Sequence, residues 1–456
     1  MSELAYKRTN VYEVADKKTM KKIFSYAEEY KKFIDAAKTE REACAYVAAE
    51  AEKHGFKPFK FGEKLKKGDK VYYNNRGKNI YLIRVGSDDV KTSGIRIVAS
   101  HIDSPRLDFK QVPLYESDGV ALGKTHYYGG IKKYQWTTIP LALHGAVVLG
   151  DGSKVEVKIG EDEGDPVFYI SDLLPHLSQK QNTKTLAEAF SGEDLNIWLG
   201  NIPYTAAKED GDKTVKENLL HILNEKYGIK EEDFLSAELS LVPAFKARDI
   251  GFDRALIGAY GHDDRVCSYP AFSALFDTET DGKTVMVADK EEIGSEGTTG
   301  MQCAIFTDLI DAIAYSFDTT SAVIRANSKC LSADVNAAYD PNFKDVNEPM
   351  NSTYVSCGAG LTKFTGARGK SGSNDASAEF MAEGRKMFND EGVIWQTGEL
   401  GKVDQGGGGT VAKYIAKMNI DTVDIGVAVV SMHAPYEVIS KADVYEMYLA
   451  CKAFMK

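Results

Sequence analysis

Cysteine is sparse: six residues, Cys44, Cys267, Cys303, Cys330, Cys357 and Cys451, with no C-x-x-C pair. That excludes a disulfide scaffold and suits a reducing cytoplasm, where such thiols are small buried apolar groups. Proline is scarce, at 12, and the 40 glycines follow no period, which excludes a collagen. No stretch approaches the roughly 18 uninterrupted apolar residues of a membrane helix. The opening MSELAYKRTNVYEVADKK has no apolar core of signal-peptide length and no small-residue cleavage site. The expectation is therefore a cytoplasmic protein without a membrane partner. Positive charge is in deficit, 56 Lys+Arg against 67 Asp+Glu for a net charge of −11. So acidic a chain lacks the electrostatic footprint of a duplex-binding protein, and no nucleic-acid partner is expected. A Gly-x-Ser-x-Gly elbow is missing. Gly366-Ala367-Arg368-Gly369-Lys370-Ser371 ends like a phosphate loop, but Phe364 stands where that loop needs its first glycine. The run Gly406–Gly409 carries no dinucleotide fingerprint.

What is present is an ordinary globular balance, 43% hydrophobic and 27% charged over 456 residues, enough for two domains or one domain with an insertion. Met20, Ile23, Phe24, Ala27, Tyr30, Phe33 and Ile34 recur at helical steps and form one apolar stripe. Thr39 followed by Glu42 predicts a capping box opening a second helix, closed by Gly55. Short β-like runs follow at 70–73, 80–85 and 95–99. From about 107 to 241 the texture becomes mostly β, with a hairpin predicted about Asp151-Gly152 and helices near 185–190 and 216–226. Beyond Pro243 strands and helices alternate again. Residues 284–288 and 422–430 read as buried strands; 308–317, 376–388 and 442–455 read as helices. The expected architecture is an α/β domain, 1–106 with 242–456, carrying an inserted β-rich domain, 107–241.

Among eight histidines, His54, His126, His144 and His221 sit in contexts that favour structural roles. His101 and His433 each follow a mostly apolar run, Ile97-Val98-Ala99-Ser100 and Val427-Ala428-Val429-Val430-Ser431-Met432. In an α/β domain such strand ends form the binding crevice. Asp103, two residues beyond His101, is a suitable acceptor for the ring nitrogen of a metal-binding imidazole. Gly261-His262-Asp263-Asp264-Arg265 reads alone as a salt-bridged helix cap. Asp289-Lys290-Glu291-Glu292-Ile293-Gly294-Ser295 reads alone as a solvated acidic face, yet an apolar strand leads straight into it. Ser332-Ala333-Asp334 adds one more carboxylate. Two imidazoles and three or four carboxylates at strand ends fit a pair of zinc-like divalent ions.

The order Ser100-His101-Ile102-Asp103-Ser104-Pro105, His262-Asp263-Asp264-Arg265, Asp289 to Glu296, Ser332-Ala333-Asp334, Ser431-Met432-His433 resembles the M18 family of metalloaminopeptidases, the aspartyl aminopeptidase family. The resemblance runs from about residue 8 to the end. It implies a mixed-sheet metallopeptidase domain with an inserted domain for assembly and for covering the site. It implies two divalent metal ions, zinc foremost with cobalt or manganese as alternatives. Asp263 would bridge them, His101 and Asp334 would hold one, and Glu292 and His433 the other. Asp103 is implied as the partner of His101 and Glu291 as the general base that deprotonates a metal-bound water. Substrates would be peptides with a free amino terminus. The assembly would be a homo-oligomer, dimers building a tetrahedral dodecamer. Leu174-Pro175-His176-Leu177 resembles a segment that reaches a neighbour's active site. Arg368 and Lys370 are candidate cations for an acidic first side chain, with a neutral or broader preference as the alternative. Two other functions stay open at this stage: a deacylase or carboxypeptidase on the same scaffold, and a non-catalytic binding protein whose carboxylates only cap strands.

Overall fold

The computed structural model describes residues 4–86, 88–205, 213–278, 284–287 and 291–456, with the backbone alone for 284–287. Ala288, Asp289 and Lys290, part of the expected strand end and acidic run, lie outside the described residues. The chain divides into two compact units, one of residues 1–103, 247–432 and 437–456, the other of 104–246 with 433–436.

The first unit is built on a nine-stranded mixed sheet in the order Lys57–Pro58, Lys70–Asn75, Asn79–Arg84, Thr284–Val287, Ile95–Ala99, Lys329–Ala333, Asp421–Gly426, Ala359–Thr362, Trp395–Gln396. Its four central strands, from Thr284–Val287 to Asp421–Gly426, are mutually parallel. Side chains alternate between faces along a strand, and both faces here are covered. Leu82, Val98 and Leu331 join one apolar cluster with helices Lys17–Ala36, Glu40–Lys53, His262–Asp277 and Lys441–Met455. Tyr81, Ile83, Ile95, Ile97 and Cys330 join a second with helix Ile305–Ser316. Burial on both sides explains why these strands read as nearly continuous apolar runs.

Helices form where the periodicity predicts them. Lys17–Ala36 buries Ile23, Ala27, Tyr30, Phe33 and Ile34, and Asp16 caps it by accepting from the Thr19 N–H at 2.7 Å. The Thr39–Glu42 capping box is present at the start of Glu40–Lys53. Ala378–Asp390 and Lys441–Met455 follow the expected ranges closely. Among the described residues, no helix is long and apolar enough to cross a membrane.

The single strand expected over 422–430 is instead two. Asp421–Gly426 belongs to the large sheet, whereas Ala428–Val430 belongs to a five-stranded sheet ordered Arg248–Ile250, Leu256–Ala259, Glu437–Ser440, Ala428–Val430, Asn336–Ala337. The neighbouring chain switches sheets at the same level, from Lys329–Ala333 to Asn336–Ala337. The two run side by side through the switch: Asp334 N–H donates to Ile425 O at 3.0 Å and Asn336 N–H to Val427 O at 2.8 Å. Gly426 permits the close approach, because a Cβ there would lie 1.7 Å from the Asp334 carbonyl oxygen. Apolar periodicity cannot register such a switch, since both halves are buried.

Glu446 on the last helix is 3% exposed and accepts from the Ile394 N–H at 2.9 Å. Burial pushes its pKa up to about 7, against the opposing effect of that hydrogen bond. A carboxyl raised above its unfolded value of about 4.3 contributes stability at low pH that is lost as pH rises through about 7. Glu446→Gln keeps an acceptor without the charge. The variant should match the parent near pH 4.5 and exceed it at pH 8 by on the order of 3 kcal/mol at most. Urea midpoints at the two pH values check this; a gap that does not widen with pH contradicts it.

The second unit holds a six-stranded antiparallel sheet ordered Lys154–Ile159, Leu141–Val148, Ala237–Pro243, Arg106–Ser117, Val120–Tyr128, Ile197–Gly200, together with helix Val215–Tyr227. The predicted hairpin is present, but its connection is a five-residue loop, 149–153, closed by the Val148–Lys154 pair. Gly152 takes φ +84° inside it, and Asp151 accepts from the Ser153 N–H at 2.8 Å. An apolar cavity of about 450 Å³, lined by Phe109, Leu143, Trp198, Leu223, Phe234 and Leu239 among others, lies in this unit; no candidate metal ligand lines it.

Candidate active site

Three neighbouring parallel strands deliver the candidate residues at their carboxyl ends. Ile95–Ala99 runs through Ser100 into His101, Lys329–Ala333 runs into Asp334, and Thr284–Val287 precedes Glu291 and Glu292. Asp263 comes from the start of helix His262–Asp277, which follows strand Leu256–Ala259.

His101 is 2% exposed. Its Nδ1 lies 3.0 Å from the Asp103 backbone carbonyl and 3.4 Å from the Asp103 carboxylate. With Nδ1–H donating to that oxygen, Nε2 is the nitrogen offered inward. It faces Asp263 Oδ1 at 3.0 Å and Asp334 Oδ1 at 3.7 Å. Burial alone works against a charged imidazole, but the carboxylates of Asp103, Asp263 and Asp334 outweigh it and hold the His101 pKa well above its usual value. Burial, then the charge of Asp263, pushes Asp334 upward against the pull of His101. Asp264 is held well above the carboxylate range, first by its complete burial and then by Asp334 and Asp263, with His101 opposing. The pocket therefore favours a positive charge among its carboxylates.

One ligand atom from each of His101, Asp263 and Asp334 lies within 4.8 Å of the others. An imidazole nitrogen with two carboxylate oxygens is a donor set that zinc accepts, so these residues fit a divalent cation. His433 stands at φ +66° in the 433–436 segment, its Nδ1 2.7 Å from the Gly130 carbonyl oxygen. As at His101, a backbone carbonyl lies within hydrogen-bond reach of Nδ1.

The carboxylate of Asp103, fully buried, accepts two backbone bonds, from Glu291 N–H at 2.9 Å and Glu292 N–H at 3.2 Å. Glu291 O in turn accepts from Gly294 and Ser295 at 2.7 and 2.9 Å, with Gly294 at φ +82°. The two glutamates are thus presented from one turn. Burial first, then the charges of Asp334, Asp103 and Asp263, with His101 opposing, bring the Glu291 pKa up to about 7. A carboxylate of that proton affinity is suited to taking a proton near neutral pH and giving it back.

Sequence reasoning overlooked two hydrogen-bond partners of the candidate residues. Ser268 donates to the His101 carbonyl oxygen at 2.7 Å, and Glu437 accepts from the Asp263 N–H at 3.1 Å. Neither carries a local motif. The cap suggested for 261–265 is not salt-bridged through Arg265, which is fully buried and donates to the Lys38 carbonyl at 3.0 Å. His262 is a core histidine: Tyr30 Oη lies 2.7 Å from Nδ1 and Ile257 O lies 3.2 Å from Nε2, while burial drops its pKa to about 3.

The remaining candidates are Arg368, Lys370 and His176. Arg368 and Lys370 are exposed at φ +50° and +63°, and no described contact joins them to the His101 group. Lys370 Nζ lies 3.6 Å from Asp375 Oδ1 and 3.9 Å from the centre of the Phe364 ring. His176 is exposed on the short 3₁₀ turn Pro175–Leu177 of the second unit.

A buried imidazole among carboxylates at the carboxyl ends of parallel strands is the donor set of a candidate metalloprotein site. The family described as aminopeptidase I zinc metalloprotease (M18) matches residues 33–455. A probable M18 family aminopeptidase 1 of Clostridium acetobutylicum is 48% identical, the match covering 100% of this chain and 99% of the relative. A crystal structure of an M18 family aminopeptidase from Thermotoga maritima superposes with a TM-score of 0.94 at 44% identity, covering 99% of this chain and 100% of that one. The structure of aminopeptidase I from C. acetobutylicum gives 0.92 at 44% identity, with the same coverage. The chain belongs to the M18 family of metalloaminopeptidases, and its mixed α/β fold is theirs.

Proposed function

We propose that this enzyme releases the first residue of peptides with a free amino terminus, using two divalent ions, zinc foremost with cobalt or manganese as alternatives. The observation carrying this reading is the approach of His101 Nε2 to the carboxylates of Asp263 and Asp334 in a buried pocket. His101, Asp263 and Asp334 would hold one ion. Glu292 and His433, with Asp263 shared, would hold the other, as the family resemblance implies. Such ions, when bound, acidify water and polarise the scissile carbonyl. The chain's own residues do the rest. Glu291 takes the proton of the attacking water and returns it to the leaving amine. Asp103 fixes the backbone of Glu291 and Glu292 through its two hydrogen bonds. The carboxylates attract the substrate's ammonium group, which confines cleavage to the first residue.

Unblocked and N-acetylated aminoacyl substrates, assayed with zinc, cobalt and manganese, test this. The free amines should be turned over and the acetylated ones refused; equal rates would favour a deacylase or carboxypeptidase. The acidic preference assigned to Arg368 and Lys370 requires kcat/KM for Asp or Glu to exceed that for Leu by about tenfold or more, as one charge-assisted hydrogen bond allows.

The second unit is proposed to serve as an inserted assembly and lid domain in the cytoplasmic enzyme, in dimers that build a dodecamer, with His176 reaching a neighbouring site. Leu173, Leu174 and Leu177 beside it are each about half exposed or more, which supports a covered surface there. Gel filtration should give a mass many times that of one chain. A fully active monomer contradicts the assembly and the role of His176 together.

A further inference from the structure

Strand Glu437–Ser440 runs antiparallel to Leu256–Ala259, and Glu437 stands opposite Ala259, the last residue of that strand. From there the chain passes through Tyr260 and Gly261 into the helix that carries Asp263. The opening of that helix is irregular: Asp263 takes φ −78°, ψ 108° and Asp264 φ −118°, ψ 33°. Regular helical backbone therefore does not by itself aim the Asp263 side chain. Glu437 supplies an outside restraint. It is 1% exposed, and its Oε2 accepts from the Asp263 N–H at 3.1 Å. On its other side Asp263 is 3.0 Å from His101 Nε2 through Oδ1. A buried carboxylate is costly unless it makes hydrogen bonds, and at Glu437 one of these bonds falls on the backbone of a candidate ligand at the irregular start of its helix.

We propose that Glu437 is a positioning residue: it anchors the Asp263 backbone so that the Asp263 carboxylate stays aimed at the cation site. This rests on Asp263 being a metal ligand. Glu437 itself touches neither substrate nor reacting atoms. The bond to the Asp263 N–H needs an acceptor at the right reach. Gln keeps the reach and loses the charge, while Asp keeps the charge and falls one methylene short.

The test uses the full-length protein, with zinc affinity read by chelator competition for E437Q, E437D and E437A, and D263A as the control. Thermal unfolding establishes which variants are folded. E437Q should bind zinc within about threefold of the parent, whereas E437D and E437A should weaken it by about 10–100-fold, the usual cost of losing a group that orients a ligand. At saturating metal, E437Q should restore the kcat lost in E437D, with KM for an unblocked substrate little changed in either. Should E437A fail to fold, the order of E437Q and E437D decides. Tighter zinc binding by E437D than by E437Q, or parental affinity in every folded Glu437 variant while D263A is weakened, overturns the inference. Parental affinity in D263A would instead overturn the assignment of Asp263 as a ligand, and this inference with it.

Discussion

Glu291→Gln should leave the metal content unchanged and lower kcat by about 10²–10⁴-fold, roughly 3–5 kcal/mol of barrier. An amide cannot accept the proton of the attacking water. The substitution leaves the surrounding geometry alone, because the turn is held through backbone groups. Asp103 accepts the N–H of residues 291 and 292, and Gly294 and Ser295 donate to the carbonyl of residue 291. None of these bonds uses the Glu291 side chain. Glu292 thus stays in place, and KM should change little, since a general base acts mainly in the transition state. Glu292→Ala is the matched control: it should weaken metal binding at one site. Metal content, kcat and KM measured side by side decide the two roles. Near-parental turnover in Glu291→Gln, or metal loss there with retention in Glu292→Ala, reverses the assignment.

Asp263→Ala should have the larger effect on metal: both ions lost from the isolated protein, and activity with them. Asp263 stands 3.0 Å from His101 Nε2 and shares its cluster with Asp334. As the proposed bridge it serves both ions, so its removal cannot be confined to one. Losing the carboxylate also removes one of the charges that hold the His101 pKa high, leaving a less negative pocket with lower affinity for any cation. Elemental analysis after gel filtration gives the count. Two tightly held ions per chain in the variant would refute the shared-ligand assignment.

The strand ends that carry the candidate ligands were legible because chemistry and pattern coincide there. His101 and Asp334 interrupt apolar runs at the point where a parallel strand buried on both faces must stop. The helices were legible for the same reason, since one apolar stripe at helical spacing has few other uses. The Asp103 carboxylate was harder. His-x-Asp suggested a partner for the imidazole, and the side chain does lie 3.4 Å from it, but it also accepts from backbone N–H groups 188 and 189 residues away. Nothing near Asp103 in the chain announces that turn.

Composition, apolar periodicity and five short motifs in order were enough by themselves to determine the fold class and the family, and to single out candidate residues for a cation site. Those properties are local: a strand's burial and a side chain's donor atoms are written at its own position. The tertiary structure alone decided which carboxylate faces His101, that the 422–430 run passes between two sheets, and that Ser268 and Glu437 bond to the backbone of His101 and Asp263. Each of these depends on backbone groups meeting across long sequence separations. A backbone N–H or carbonyl is identical at almost every residue, so its choice of partner leaves no mark in the sequence.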